Sequence, residues 1–309
     1  MNNNLKGFAF GIATSVTFGL IPLFTLPLFQ RGMQLDSILF YRFAFATLAL
    51  FAMLVSKKVS LKTEVANLPI LFLLGAFYTG SALFLFWGYT FMAAGIATTL
   101  HFTYPIFVTL FMLLFFREKA SWITMLAIVL AVAGVARLSL DGGELQLDAL
   151  GVIIVLMSAV CYGLYIVAVN KSRAHDMPGR KLTFYVFTVS TCIFFIKAQF
   201  SGGLQAIPDV PSFVNLALLA FVPTVVSNIT LVQAVRNIGS TLTAVLGAME
   251  PVTAVFVGVL VFGEPFTPQL AIGILLIIIA VTLVILSKYI VQSANRLVRV
   301  FKRDNISNK

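Results

Sequence analysis

Four side chains that could bind ions or polar solutes lie inside long apolar segments of this sequence: Arg42, His101, Tyr104 and Glu250. An ionisable group with apolar neighbours is costly unless it is paired, protonated or facing water. Glu250 could therefore bind an ammonium group or take up a proton. It could equally be a structural carboxylate, hydrogen-bonded to backbone groups that Pro251 leaves free. The pattern favours reversible binding of charge over covalent chemistry.

The remaining charged and aromatic candidates each have more than one interpretation. Arg42 could attract a carboxylate, pair with Glu250 or extend to the outer interface. His101 could titrate near neutral pH or simply hydrogen-bond in the packing, and Tyr104 lies three residues later on the same helical face. Aromatic and amide side chains deep in other segments suit an amphipathic organic solute and an amine. These further candidates are Tyr78, Tyr162, Tyr165 and Asn228.

The segments that must position these side chains are membrane spans. Of the 309 residues, 60% are hydrophobic and 10% are charged, and the mean hydropathy is +1.02. A helix needs about 20 apolar residues to cross the hydrocarbon core. Ten runs qualify, at 5–29, 35–55, 68–92, 96–116, 120–140, 147–169, 182–201, 212–235, 239–262 and 267–289. The composition therefore predicts an all-α integral membrane protein with ten transmembrane helices.

The second half of the chain repeats the first. Pro105 and Glu118 recur as Pro251 and Glu264 at an offset of 146, and this offset places Tyr104 on Glu250. At an offset of 144, Gly19 falls on Gly163 and the pair Phe40-Tyr41 falls on Phe184-Tyr185. Each copy holds five helices, so the second copy must enter the bilayer from the opposite side. Inverted repeats of this kind are the structural basis of alternating access.

The distribution of lysine and arginine predicts the orientation. With a cytoplasmic N-terminus, all of these residues lie on the inner side except Arg31, Arg42, Arg137 and Lys197. Both termini are then cytoplasmic. The net charge of +10 is explained by a basic inner surface facing anionic membrane lipids, so nucleic acid is not an expected partner.

The ten-span layout, the Phe18-Gly19 and Tyr162-Gly163 pairs and the two Pro…Glu helices resemble the drug/metabolite transporter superfamily, and specifically its EamA family. The resemblance implies repeats at 1–143 and 144–290, followed by a basic cytoplasmic tail at 291–309. It also implies a multi-pass carrier of the cell (inner) membrane that exports amino acids or related metabolites. The implied central cavity is lined by spans one, three, four, six, eight and nine. Span two then lies outside its wall, which favours a structural role for Arg42.

Other functional classes have less support. The sequence has no P-loop lysine motif and only two histidines, so ATP-driven transport and a catalytic cluster are not expected, nor is a cofactor. A membrane-embedded enzyme or a lipid-handling protein remains the alternative. Pro105 and Pro251 could be hinges or static kinks, and Gly19 and Gly163 are assigned structural roles. The sequence leaves open whether the protein is a monomer or a homodimer.

Overall fold

The computed structural model describes residues 3–117, 122–140, 148–268 and 270–286, and every regular element in these ranges is helical. Short 3₁₀ turns occur at Val65–Asn67 and Arg173–Asp176, and a π-helical turn occurs at Phe221–Val226. Glu118, the junction 141–147 and the basic tail lie outside the described residues. In chain order the helices are α1 (Asn3–Gly19), α2 (Ile21–Gln30), α3 (Leu35–Ser56), α4 (Leu68–Gly88), α5 (Ala94–His101), α6 (Tyr104–Phe116), α7 (Trp122–Leu140), α8 (Ala149–Lys171), α9 (Gly179–Phe200), α10 (Val210–Ala220), α11 (Ser227–Leu246), α12 (Met249–Phe262) and α13 (Leu270–Leu286).

Several of these helical segments are long and apolar enough to cross a membrane, which confirms a multi-pass membrane protein. Three further predicted spans coincide with shorter apolar helices, at Met125–Val135, Met249–Phe262 and Leu270–Leu286. Ten crossings therefore stay a prediction. The seven segments found within the described residues are Leu5–Gln30, Leu35–Ser56, Val65–Gly88, Ala94–Phe116, Ala149–Lys171, Gly179–Phe200 and Val210–Ile238.

Prolines mark places where predicted spans are interrupted. Span one breaks after Gly19 and span four after His101, and Pro22 and Pro105 lie in the first turn of the helix that follows each break. Pro251 likewise lies in the first turn of α12. The first turn is where a missing backbone N–H costs nothing, because that group has no partner within the helix. Pro105 and Pro251 thus accompany helix breaks and do not kink continuous helices.

The helices α3 and α9 pack against each other through residues that the repeat relates to each other. Successive contacts move up one helix and down the other, so the two helices are antiparallel. The contacts are Phe40 with Phe195 at a ring separation of 5.7 Å, Thr47 with Thr191 at 3.4 Å between hydroxyl oxygens, and Phe51 with Phe184 at 6.2 Å.

The repeated Phe-Tyr pairs also tie each half to a loop of the other half. Tyr41 donates its hydroxyl hydrogen to the backbone oxygen of Gln205 at 2.8 Å. Tyr185 makes the same bond to the backbone oxygen of Leu61, and both the donors and the acceptors are 144 residues apart. The repeated Phe-Tyr pair therefore makes equivalent contacts in the two halves of the chain.

Candidate functional site

A cavity of about 320 Å³ lies between helices of both halves of the chain. It has walls from spans one, three, four, six, eight and nine, as the resemblance implied, and an additional contribution from α3 in span two. Its lining residues are Thr14, Ser15, Phe18, Ile21, Arg42, Tyr78, Ser81, Ala82, Leu85, His101, Tyr104, Tyr162, Tyr165, Ile166, Leu231, Val235, Thr243, Gly247 and Glu250.

Glu250 is the carboxylate of this cavity. It lies in the first turn of α12, and its backbone N–H donates to the Gly247 carbonyl at 2.9 Å. Its carboxylate oxygens accept no hydrogen bond from any described residue, although the side chain lines the cavity. Among the described residues, no hydrogen bond therefore supports the structural alternative of a carboxylate bonded to backbone groups that Pro251 leaves free. The first turn of a helix favours negative charge, which suits a carboxylate at this position.

His101 lines the cavity and is hydrogen-bonded to Ser158 of α8. Its Nδ1 lies 2.9 Å from the Ser158 hydroxyl oxygen, and that hydroxyl lies 2.6 Å from the Ser81 carbonyl oxygen. A carbonyl only accepts, so Ser158 donates its single hydrogen to Ser81 and must accept from Nδ1–H. The neutral ring then carries its proton on Nδ1 and leaves Nε2 as an acceptor. The interruption after His101 places it at the end of α5, so it does not share one helix with Tyr104.

Four tyrosines, Tyr78, Tyr104, Tyr162 and Tyr165, form a cluster along one side of the cavity. Tyr162 is its centre: the ring of Tyr104 stands edge-on at 4.7 Å, and the rings of Tyr78 and Tyr165 lie at 6.1 and 5.9 Å. Such edge and offset geometries are the favoured ones for aromatic pairs. The cluster gives the cavity rigid aromatic walls with hydroxyl groups.

Arg42 lines the cavity, contrary to the expectation that span two lies outside its wall. The residue is 4% exposed, so its side chain does not extend to the outer interface. Its Nε donates to the Thr224 hydroxyl oxygen at 3.0 Å, and its guanidinium carbon lies 5.4 and 5.2 Å from the ring centres of Phe43 and Phe86. No ion pair joins it to Glu250 in the described structure. Hydropathy could not show this, because it does not give the rotation of a helix about its own axis.

Asn228 does not line the cavity, in contrast to the expectation for it. Its side-chain amide donates to the Thr224 carbonyl at 2.6 Å, which satisfies a backbone acceptor beside the π-helical turn. Some residues that line the cavity were not among the candidates predicted from the sequence. Helical spacing from Tyr78 would have found Ser81, Ala82 and Leu85, because positions three, four and seven residues on share its face.

The glycines expected to be structural sit at close helix contacts. A β-carbon on Gly19 would lie 2.6 Å from the Glu250 carbonyl oxygen, whereas one on Gly163 would lie 3.2 Å from Phe107 Cβ. Gly19 thus brings α1 against the helix that carries Glu250. Gly163 likewise brings α8 against α6, although the distance from its added β-carbon to the neighbouring helix is larger.

Together these groups can bind a small amphipathic solute. Glu250 and His101 Nε2 are acceptors, Arg42 is a donor, and the tyrosine cluster supplies aromatic faces. Within the described ranges no three His, Cys, Asp or Glu side chains converge as metal ligands would. The arrangement is thus a cavity of mixed polarity, lined by residues from both halves of the chain.

Comparison with known proteins identifies relatives over most of the chain. The EamA-like transporter family matches residues 5–140 and again 149–286. An uncharacterized transporter of Synechocystis sp. is 28% identical over 200 residues, which are 63% of this chain and 59% of the relative. The uncharacterized inner membrane transporter YedA of Escherichia coli (strain K12) is 27% identical over 202 residues, 64% of this chain and 63% of YedA. Each match spans less than two thirds of the relative.

A solved structure has the same fold. One crystal structure superposes with a TM-score of 0.64 at 17% sequence identity, and the match covers 91% of this chain and 95% of that chain. At this identity the likeness concerns the arrangement of the helices alone.

Proposed function

Because the chain belongs to the EamA-like transporter family, we propose that it is a secondary transporter that exports amino acids or related small metabolites by alternating access through the central cavity. The observation that carries this proposal is the Glu250 carboxylate, which faces the cavity without a hydrogen-bond partner among the described residues. An unsatisfied polar group in an apolar interior is expensive unless a ligand, a proton or water meets it.

Alternating access needs two related halves, and we propose that the five-helix repeats at 1–143 and 144–290 are inverted relative to each other. The antiparallel crossing of α3 and α9 supports this, because these two helices are repeat equivalents. The reciprocal tyrosine bonds to Gln205 and Leu61 support it as well. Two halves joined by equivalent contacts can exchange conformations, which opens the cavity first to one side and then to the other.

We propose a role for each group of residues that lines the cavity. Glu250 binds the substrate amine or takes up a proton, with His101 Nε2 as a second acceptor. The tyrosine cluster holds the amphipathic body of the substrate and offers cation–π contact to an amine. The helix breaks at Pro105 and Pro251 border the same cavity and act as hinges.

The proposed setting is the cell (inner) membrane, with ten crossings and both termini in the cytoplasm. The lysine and arginine distribution supports this orientation, and one relative is named an inner membrane transporter. Cysteine labelling of single-cysteine variants at the exposed residues Lys58 and Gly202 tests it. These sites lie in loops that the proposal puts on opposite sides of the membrane.

The test of transport compares the wild type with Glu250→Gln in proteoliposomes. A panel of labelled amino acids is offered, and Glu64→Gln is the matched control because Glu64 is exposed outside the cavity. We expect both variants to fold, the control to transport like the wild type, and Glu250→Gln to lose transport. Unchanged transport by Glu250→Gln would make the carboxylate structural. No transport of any amino acid by the wild type would exclude the substrate class and favour other metabolites or lipids.

A further inference from the structure

Arg42 has hydrogen-bonding capacity that the described residues do not use. A guanidinium has five N–H donors, and the described residues accept only from Nε, through Thr224. The residue is 4% exposed and lines the cavity. Four N–H groups are therefore available to a molecule that enters the cavity.

The guanidinium is held in place without being neutralised. Thr224 accepts a hydrogen bond from Nε. Its own hydroxyl donates to the Leu219 carbonyl at 2.9 Å, five residues earlier in the chain. The rings of Phe43 and Phe86 flank the cation, and such contacts offset part of the cost of burying it. A buried cation without an anionic partner remains expensive, so an anionic ligand group would be favoured there.

We propose that Arg42 is the subsite for the carboxylate of the substrate, and that the cavity therefore selects zwitterions with a free carboxylate and a free amine. This inference rests on the proposed function of the cavity as the transport site. The planar fork of a guanidinium matches a carboxylate with two parallel hydrogen bonds. The amine then meets Glu250 and His101 Nε2, which line the same cavity.

The balance of charge favours a monocarboxylate over a phosphate. The described lining contains one arginine and one glutamate and no lysine or aspartate. A ligand with one negative and one positive group leaves both residues paired. A dianionic phosphate would bring a second negative charge near Glu250 and find no second cation among the lining residues.

The first experiment changes the ligand and leaves the protein intact. Uptake of L-leucine, L-threonine and L-phenylalanine by wild-type proteoliposomes is compared with uptake of their carboxamides, in which the carboxylate is lost and the amine is kept. We expect apparent affinity for each transported amino acid to exceed that for its amide by about ten- to a hundredfold, the value of a hydrogen bond to a charged group. Equal affinity for acid and amide would overturn the proposal.

The second experiment changes the residue. Arg42→Gln is compared with Arg173→Gln, which makes the same change of charge at an exposed position outside the cavity. We expect Arg42→Gln to lose affinity for the amino acids, to keep that for the amides, and so to remove the discrimination. Wild-type discrimination that survives in Arg42→Gln would also overturn the proposal.

A third measurement separates this inference from the proposed function. Thermal stabilisation of the detergent-solubilised protein by 4-methylpentanoate, which is leucine without its amine, requires no transport. Stabilisation of the wild type and the Arg173→Gln control, but not of Arg42→Gln, supports the carboxylate subsite even if no amino acid is transported. Transport of amino acids together with equal stabilisation of the Arg42→Gln variant would leave the function standing and refute the subsite.

Discussion

Gly19 and Gly163 occupy the same repeat position, yet alanine should affect them differently. A β-carbon on Gly19 would lie 2.6 Å from both the Glu250 carbonyl oxygen and Thr253 Cβ, whereas an ordinary contact begins at 3.4 Å. The shortfall is about 0.8 Å, and one of the two atoms belongs to the backbone. A β-carbon on Gly163 would lie 3.2 Å from Phe107 Cβ and 3.3 Å from Val108 N, a shortfall of about 0.2 Å.

Two opposing effects set the expected size of the change. Replacing glycine by alanine in the interior of a helix gains about 1 kcal/mol of helix propensity, which applies to Gly163 but hardly to Gly19, the last residue of α1. Overpacking costs about 1–3 kcal/mol where neighbouring atoms cannot move, which applies at Gly19 because a carbonyl oxygen in α12 obstructs it. At Gly163 the two terms nearly cancel. We therefore expect Gly19→Ala to be less stable than Gly163→Ala by about 1–3 kcal/mol.

The assay is thermal unfolding of both variants and the wild type in one detergent, with transport measured in parallel. A loss of 1 kcal/mol corresponds to about 2–4 °C in the melting temperature for soluble domains of 150–250 residues, which serves as a guide here. Gly19→Ala should melt lower and transport less, because its new methyl group displaces the backbone of Glu250. Equal melting temperatures, or a less stable Gly163→Ala, would refute the packing argument.

Further predictions concern contacts between the two halves of the chain, including ion pairs near the ends of the helices. Removing the Tyr41 or the Tyr185 hydroxyl by substitution with phenylalanine should cost about 0.5–1.5 kcal/mol each, and the double variant should lose the sum, because the two bonds share no residue. A double variant no less stable than either single one would argue against independent, equivalent contacts. Lys197→Met should cost about 1–3 kcal/mol, because Lys197 donates to both oxygens of the buried Asp36 carboxylate at 2.8 and 2.7 Å. Arg31→Met breaks an exposed ion pair with Asp209 and should therefore lower the melting temperature less than Lys197→Met does. Added salt should reduce the effect of Arg31→Met further. A lower melting temperature for Arg31→Met than for Lys197→Met would contradict this ranking of the two ion pairs.

Asp209, the partner of Arg31, gives the stability of this loop region a pH dependence. Hydrogen bonding from Ser212, and next the charge of Arg31, hold the pKa of the Asp209 carboxyl below its usual value. A depressed pKa contributes stability above the unfolded-state pKa and loses it as the pH falls through the folded-state pKa. The Asp209→Asn variant should therefore show a weaker loss of melting temperature on acidification than the wild type. An identical acid response of the two proteins would refute this role.

Features that depend on local composition could be predicted from the order of residues along the chain. Apolar runs located every membrane span that the structure describes, and the offsets of 144 and 146 related residues that the structure places in equivalent contacts, such as Tyr41 and Tyr185. Most of the predicted site also came together, because Glu250, His101 and the tyrosine cluster are polar or aromatic groups deep in apolar segments. Such groups must face a cavity or a partner, whichever way the helices pack.

The orientation of individual side chains became evident only from how the helices pack. Span two proved to reach the cavity through Arg42, and Asn228 proved to bind the Thr224 carbonyl, although both lie in equally apolar surroundings in the sequence. Ser158 fixes the tautomer of His101 from a helix 57 residues further on. These outcomes depend on the rotation of each helix about its axis and on where α5 and α11 end. Contacts between distant segments set both, and hydropathy along one segment does not contain them.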